Sequence, residues 1–211
     1  MKKEIDLLQF PQVTRKLGRR TERHREIARR FDKEFFDGSR DTGYGGYNYD
    51  GRWVPVALRM LLHYGLAAGD RVLDIGCGKG FMVKDMRALG LQAYGIDVSQ
   101  YAIEQSVCPA YTLCCDARAM SKWAVPHKSY RLAVSINTLH NLEQDEVVEA
   151  LRVMSAMSDN QYVMFDAYRT DEEKRRMFDW NLTAKTILHV DEWKALFRKI
   201  AYIGDYGWFI P

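Results

Sequence analysis

Asp74, Gly76, Gly78 and Gly80 stand at alternate positions in LDIGCGKGF, residues 73–81, directly after an apolar run. Glycine at every second position lets a backbone approach a ligand closely or adopt positive φ. A phosphate-cradling loop would read GxxxxGK[ST] and a dinucleotide fingerprint GxGxxG, whereas the spacing here is GxGxG. A carboxylate at the loop entrance is a poor neighbour for a pyrophosphate and a good one for an amine or sulfonium. The loop therefore asks for a cation-bearing nucleoside. Two further acids suit such a ligand. Asp97, in GIDVS (95–99), can accept from both hydroxyls of a ribose, or cap the helix that follows. Asp116, in CCDA (114–117), can accept from the exocyclic amine of an adenine, or sit in a surface turn.

These residues need a sheet to hold them. Strand-like runs at 71–75, 92–97, 110–115, 131–136 and 161–167 alternate with helical patterns at 79–89, after Ser99, and at 143–157. That alternation predicts an α/β fold, a Rossmann-like doubly wound and mostly parallel sheet with helices on both faces. Ligands of such sheets bind beyond the carboxyl ends of the strands, at the switch in strand order, where residues 73–81 would lie. Upstream, 14–34 reads as a helix, 37–51 as a Gly/Tyr-rich loop and 53–65 as another helix. The expected division is an N-terminal helical and aromatic cap over 1–52 and a ligand-binding domain over 53–211. A last helix is expected at 191–201, which leaves YGWFI (206–210) as the final strand.

Composition bounds the function. The chain has 211 residues, 47% of them hydrophobic, and this is a globular balance. No apolar run approaches the roughly 18 residues of a membrane span. Cys77, Cys108, Cys114 and Cys115 form no CxxC pair, so neither a metal site nor a disulfide framework is expected, and a reducing cytoplasm fits. Residues 1–33 hold eleven Lys/Arg against five Asp/Glu, in a chain of net charge +3. Such an arm can grip RNA or an acidic partner, or it can be a solvated helix in which Glu22 and Glu26 pair with Arg25, Arg29 and Arg30.

VLDIGCGKG (72–80), GIDVS (95–99), CDA (115–117) and LAVSINTLHNL (132–142) resemble successive motifs of the class I S-adenosylmethionine-dependent methyltransferases. The resemblance covers about residues 53–170. It implies S-adenosylmethionine as the cofactor, with Gly76, Gly78 and Gly80 around its methionine portion and Asp74 near its amino group. It further implies Asp97 on the ribose, Asp116 on the adenine and Val98 against the adenine face, with Ala117 and Asn137 completing the cofactor set. That family commonly ends its sheet with an antiparallel pair, so here one late strand must be short or displaced toward ILHV (187–190). Relatives that methylate nucleobase or glutamine amide nitrogens carry an Asn/Asp-Pro-Pro-aromatic tetrad. SINT (135–138) stands there instead and argues against that acceptor class.

The implied chemistry is in-line transfer of a methyl group to an O or N nucleophile of a small molecule. An RNA-associated role for the basic arm is the alternative. His140, just past the fourth strand, is the candidate general base or else a structural hydrogen-bonder. Asp166 can bind an acceptor amine or hydroxyl, or cap a turn. DTGYGGYNYDGRW (41–53) presents Tyr44, Tyr47, Tyr49 and Trp53, which form either a lid over cofactor and acceptor or an aromatic core tying the basic helix to the sheet.

Overall fold

The computed structural model describes residues 3–10, 20–122 and 128–211. Its strands are β1 (Arg71–Ile75), β2 (Gln92–Asp97), β3 (Thr112–Cys114), β4 (Leu132–Ile136), β5 (Gln161–Tyr168), β6 (Leu188–His189) and β7 (Asp205–Phe209). They run in the order β3-β2-β1-β4-β5, with β6 and β7 both paired to β5. Strand order reverses between β1 and β4, as the doubly wound pattern requires. Apolar side chains alternate between the two faces. Leu73, Ile75, Phe165 and Trp193 share one core, while Val72, Val56, Met86 and Tyr162 share the other.

The end of the sheet departs from the antiparallel pair that the motif resemblance implies. β6 is the short, displaced strand, with two residues, and every strand pairing among the described residues is parallel. β7 lies beside β5, with Tyr162 opposite Asp205 and Asp166 opposite Phe209. The cause is α8 (Val190–Lys199), whose buried Val190, Trp193, Leu196 and Phe197 carry the chain back across one face before β7 begins. A parallel strand needs such a crossover. It brings Trp208 and Phe209 to the same end of the sheet as the glycine loop, where both line one cavity with Gly76 and Gly78.

α3 (Trp53–Tyr64), α4 (Phe81–Ala88), α5 (Gln100–Glu104) and α6 (Gln144–Met157) occupy the expected helical stretches. α7 (Asp171–Trp180) is additional. It starts at Thr170, whose side chain accepts from the Glu173 N–H while the Glu173 carboxylate accepts from the Thr170 N–H. The third strand begins only at Thr112, because Pro109 opens a 3-10 turn over Pro109–Tyr111.

The expected helix at 14–34 lies partly outside the described residues, and the described part is broken. α1 (Glu22–Ala28) starts at a Thr21 cap, and α2 (Lys33–Phe36) starts at Asp32, whose carboxylate accepts from the Glu34 N–H. Phe31 between them takes a left-handed φ of 52°. A local side-chain cap has outcompeted helix continuation there. Arg23 pairs with Glu26, and Arg25 and Arg29 pair with Glu22, so these arginines serve the helix surface.

Candidate active site

A cavity of about 680 Å³ opens beyond the carboxyl ends of the strands at the β1–β4 switch. Asp74, Gly76, Gly78, Asp97, Val98, Asp116, Ala117 and Asn137 line it. Gly80 does not. It packs behind the loop against Ser106, Cys108 and Thr112, with φ 75°, and begins α4.

Asp74 is buried, and no side-chain hydrogen bond joins it among the described residues. Burial, and then the charge of Asp97, push its carboxyl up to about 8. Burial also raises Asp97, partly offset because its two oxygens accept from the Ser99 and Gly78 N–H groups at 2.8 Å. Gly76 and Gly78 both have positive φ. A Cβ on Gly76 would overlap Thr138, and one on Gly78 would stand 3.2 Å from the Tyr47 ring. Asp116 is held by Arg118 at 2.5 and 2.9 Å, and that hydrogen bonding keeps its carboxyl below the usual range. Among the described residues the buried Oδ1 atoms of Asn137 and Asn141 have no hydrogen-bond partner, a state that a ligand donor would relieve. A buried carboxylate without a partner and orphaned acceptors fit a cofactor that brings an ammonium and donor groups.

The other half of the cavity contains His140 and Asp166. The general-base expectation for His140 meets a chemical obstacle. Its Nδ1 accepts from the Asp166 N–H at 3.1 Å, and burial lowers its pKa to about 3. The imidazole is neutral, with its basic lone pair already engaged, so it positions the end of β5. The buried Asp166 carboxylate is gripped by the Asn181 side-chain amide, and the Asn181 Oδ1 accepts from the Thr183 and Ala184 N–H groups. Sequence reasoning passed over Asn181, an isolated residue in a loop with no periodic signal.

Residues 20–53 form a strap across the cavity. At one end Arg25 donates to the carbonyls of Phe178 and Asn181, at the close of α7. At the other end Ser99 Oγ donates to the Phe31 carbonyl, and Asp37 accepts from Lys79 Nζ at 2.7 Å and Tyr101 Oη at 2.6 Å. Burial would raise Asp37, but those two hydrogen bonds outweigh it and hold the carboxyl below its usual range. Tyr44 rests on Tyr47 at 4.5 Å, and Tyr47 stacks on Phe81 at 4.8 Å. Tyr44, Tyr47 and Trp53 line the cavity, while Tyr49 turns away to donate to Asp85 on α4.

Residues 23–199 match the family model described as a methyltransferase domain. Ubiquinone biosynthesis O-methyltransferase of Burkholderia vietnamiensis is 45% identical over 49 residues, 23% of this chain and 21% of that protein. Its counterpart in Albidiferax ferrireducens is 41% identical over 49 residues, 23% of this chain and 19% of that protein. The matches thus span no more than 21% of the length of these curated relatives. A SAM-dependent methyltransferase from Archaeoglobus fulgidus shares the fold, with a TM-score of 0.57 at 21% identity, over 80% of this chain and 71% of that one. Haemonchus contortus phosphoethanolamine N-methyltransferase 2, solved with phosphomonomethylethanolamine and S-adenosylhomocysteine, has a TM-score of 0.55 at 16% identity, over 82% and 44%.

Proposed function

The chain belongs to the methyltransferase-domain family, and from that premise we propose that it methylates a hydroxyl or amine of a small molecule, with S-adenosylmethionine as the donor. The observation that carries this reading is the pair of carboxylates, buried Asp74 and half-buried Asp97, facing one cavity at the switch point. When bound, S-adenosylmethionine supplies a sulfonium methyl group for in-line displacement. Asp74 faces the ammonium, and Asp97 accepts from the ribose hydroxyls through lone pairs that Gly78 and Ser99 leave open. Val98 offers a half-exposed apolar face to the adenine, beside Ala117 and an Asp116 oriented by Arg118.

Asp166, fixed by Asn181, takes the proton of the acceptor, while neutral His140 holds the strand end in place. The strap, with Tyr44 and Tyr47, roofs the site and keeps water from the reacting carbon. Alignment of this kind can supply roughly 7–11 kcal/mol of barrier reduction. A cavity of this volume suits a small acceptor. The similarity to O-methyltransferases favours oxygen as the nucleophile.

Calorimetry tests the reading. S-adenosylhomocysteine should bind and NAD should not, and Asp97→Ala should weaken binding by about 1.5–3 kcal/mol, the value of hydrogen bonds to a charged group. Unchanged affinity in that variant removes Asp97 from the ribose site, and tight NAD binding sinks the proposal.

A further inference from the structure

Helix α3 is apolar on both its faces. Its inner face buries Val56, Ala57 and Met60 in the core beside Val72 and Met86. On the opposite face Val54, Leu58 and Leu62 are 44%, 44% and 69% exposed. They stand four residues apart, so they form one ridge along the helix. The cationic and imidazole side chains of α3 turn aside from it. Arg59 donates to the Leu7 and Leu8 carbonyls, and His63 pairs with Asp205 at 2.8 Å. The ridge itself carries no charge. A helix that is apolar all round ordinarily lies between two partners, and among the described residues α3 has one on its inner side alone.

The ridge matches itself. Val54 and Leu62 lie equally far along the chain from Leu58, so a two-fold axis at Leu58 sets that residue against its own copy. It sets the shorter Val54 against the longer Leu62. Such a pairing is antiparallel, which brings the positive N-terminus of one helix to the negative C-terminus of the other. The flanking charges repeat that complementarity. Lys84 stands over the ring of Tyr49, just before the helix begins, 3.5 Å from the ring centre. Asp70, in the turn beyond the helix, accepts from the Ala67 N–H. Neither has an ion-pair partner among the described residues.

We infer that the α3 ridge is the seam of a symmetric homodimer, two copies of this chain crossing antiparallel at Leu58. Ridges of residues four apart interdigitate at a crossing angle of about −50°. The antiparallel crossing directs Lys84 of one copy toward Asp70 of the other. A 12-residue helix is about 18 Å long and roughly 10 Å across. That footprint falls short of the roughly 800 Å² per partner typical of a stable interface, so the pairing is reversible and follows concentration. The strap ends where α3 begins, at Trp53 on the cavity wall, and the seam braces its root.

Sedimentation velocity on the full chain, from about 1 to about 200 µM, tests the seam. The mean mass should climb from 24.5 kDa toward twice that value. Leu58→Glu sets two carboxylates together on the axis and should hold the mass at 24.5 kDa throughout. Leu62→Glu, at the most exposed position of the ridge, should do the same, and circular dichroism certifies both folds. Lys84→Asp and Asp70→Lys should each weaken association several-fold, and the double exchange should restore it. That rescue separates a two-fold crossing from indiscriminate apolar association. A constant mass of 24.5 kDa overturns the inference, as does association that survives Leu58→Glu or a double exchange without recovery. A monomer that instead co-sediments with phosphatidylcholine–phosphatidylglycerol vesicles, and loses that binding in Leu58→Glu, gives the ridge to a lipid surface and overturns the dimer.

Discussion

Binding of S-adenosylhomocysteine at pH 7 should release close to one proton, and Asp74 should be its source. The ligand-free carboxyl titrates at about 8, so at pH 7 roughly nine molecules in ten carry the proton. An ammonium brought against Asp74 favours the carboxylate, and the proton leaves. Ionising the group one unit below its pKa costs about 1.4 kcal/mol, so affinity should rise about tenfold per pH unit up to about 8. Calorimetry in buffers of differing ionisation enthalpy counts the protons directly. Asp74→Asn keeps the shape and removes the titration, so its count should fall to zero and its affinity should drop. The same group acts on the ligand-free fold with the opposite consequence. Its folded pKa lies above the ordinary 3.8, so the folded state holds more protons between about pH 4 and 8. Stability is therefore lost as pH rises through that window. The ligand-free Asn variant should melt higher than the unaltered protein at pH 8 while binding the ligand worse. A zero proton count in the unaltered protein, or an undiminished count in Asp74→Asn, would refute the reasoning.

His140 is held neutral down to about pH 3 by burial, against an ordinary 6.5, so the unfolded chain takes up its proton first and stability is lost as pH falls from 6.5 toward 3. His140→Phe should lower the urea midpoint by the equivalent of about 1–3 kcal/mol near pH 7, because the buried Asp166 N–H loses its acceptor, and should flatten that acid limb; parallel pH–stability curves would count against it. Asp37→Asn removes the counter-charge of buried Lys79 and weakens the clasp between strap and glycine loop. Hydrogen exchange over residues 41–53 should quicken and S-adenosylhomocysteine should dissociate several-fold faster, whereas unchanged exchange would mean that the ring ladder alone fixes the strap.

The centre of the sheet was legible because burial on both faces demands continuous apolar runs, and RVLDI, LAVSI and QYVMFDA supply them. The glycine loop was legible because spacing and positive φ are local properties. Strand direction is not local. β7 has the same alternating pattern whichever way it runs, and only the path of α8 decides that it is parallel. The break at Phe31 was hidden because Glu/Arg pairing continues through 22–34 as it would along one helix, while the Asp32 cap acts through a single side chain. His140 shows the limit at the site. Its place beyond β4 is written in the motif, but the loss of its lone pair to the Asp166 N–H depends on a neighbour 26 residues on.

Lys3 and Ile5 hydrogen-bond to Tyr206 along the outer side of β7, and the Lys3 N–H also reaches Asp205, 202 positions away. Contacts of such separation come late in folding, after local helices and the central strands have formed. The outermost ladder is then also the first to open in the native state, since few contacts lie beyond it. Phe209 of the same strand lines the cavity and packs against Trp180. Refolding therefore completes the glycine-loop end of the cavity before the end lined by Phe209. Transient opening of this outer ladder passes straight to Phe209 and leaves the glycine loop, four strands deep in the sheet order, undisturbed.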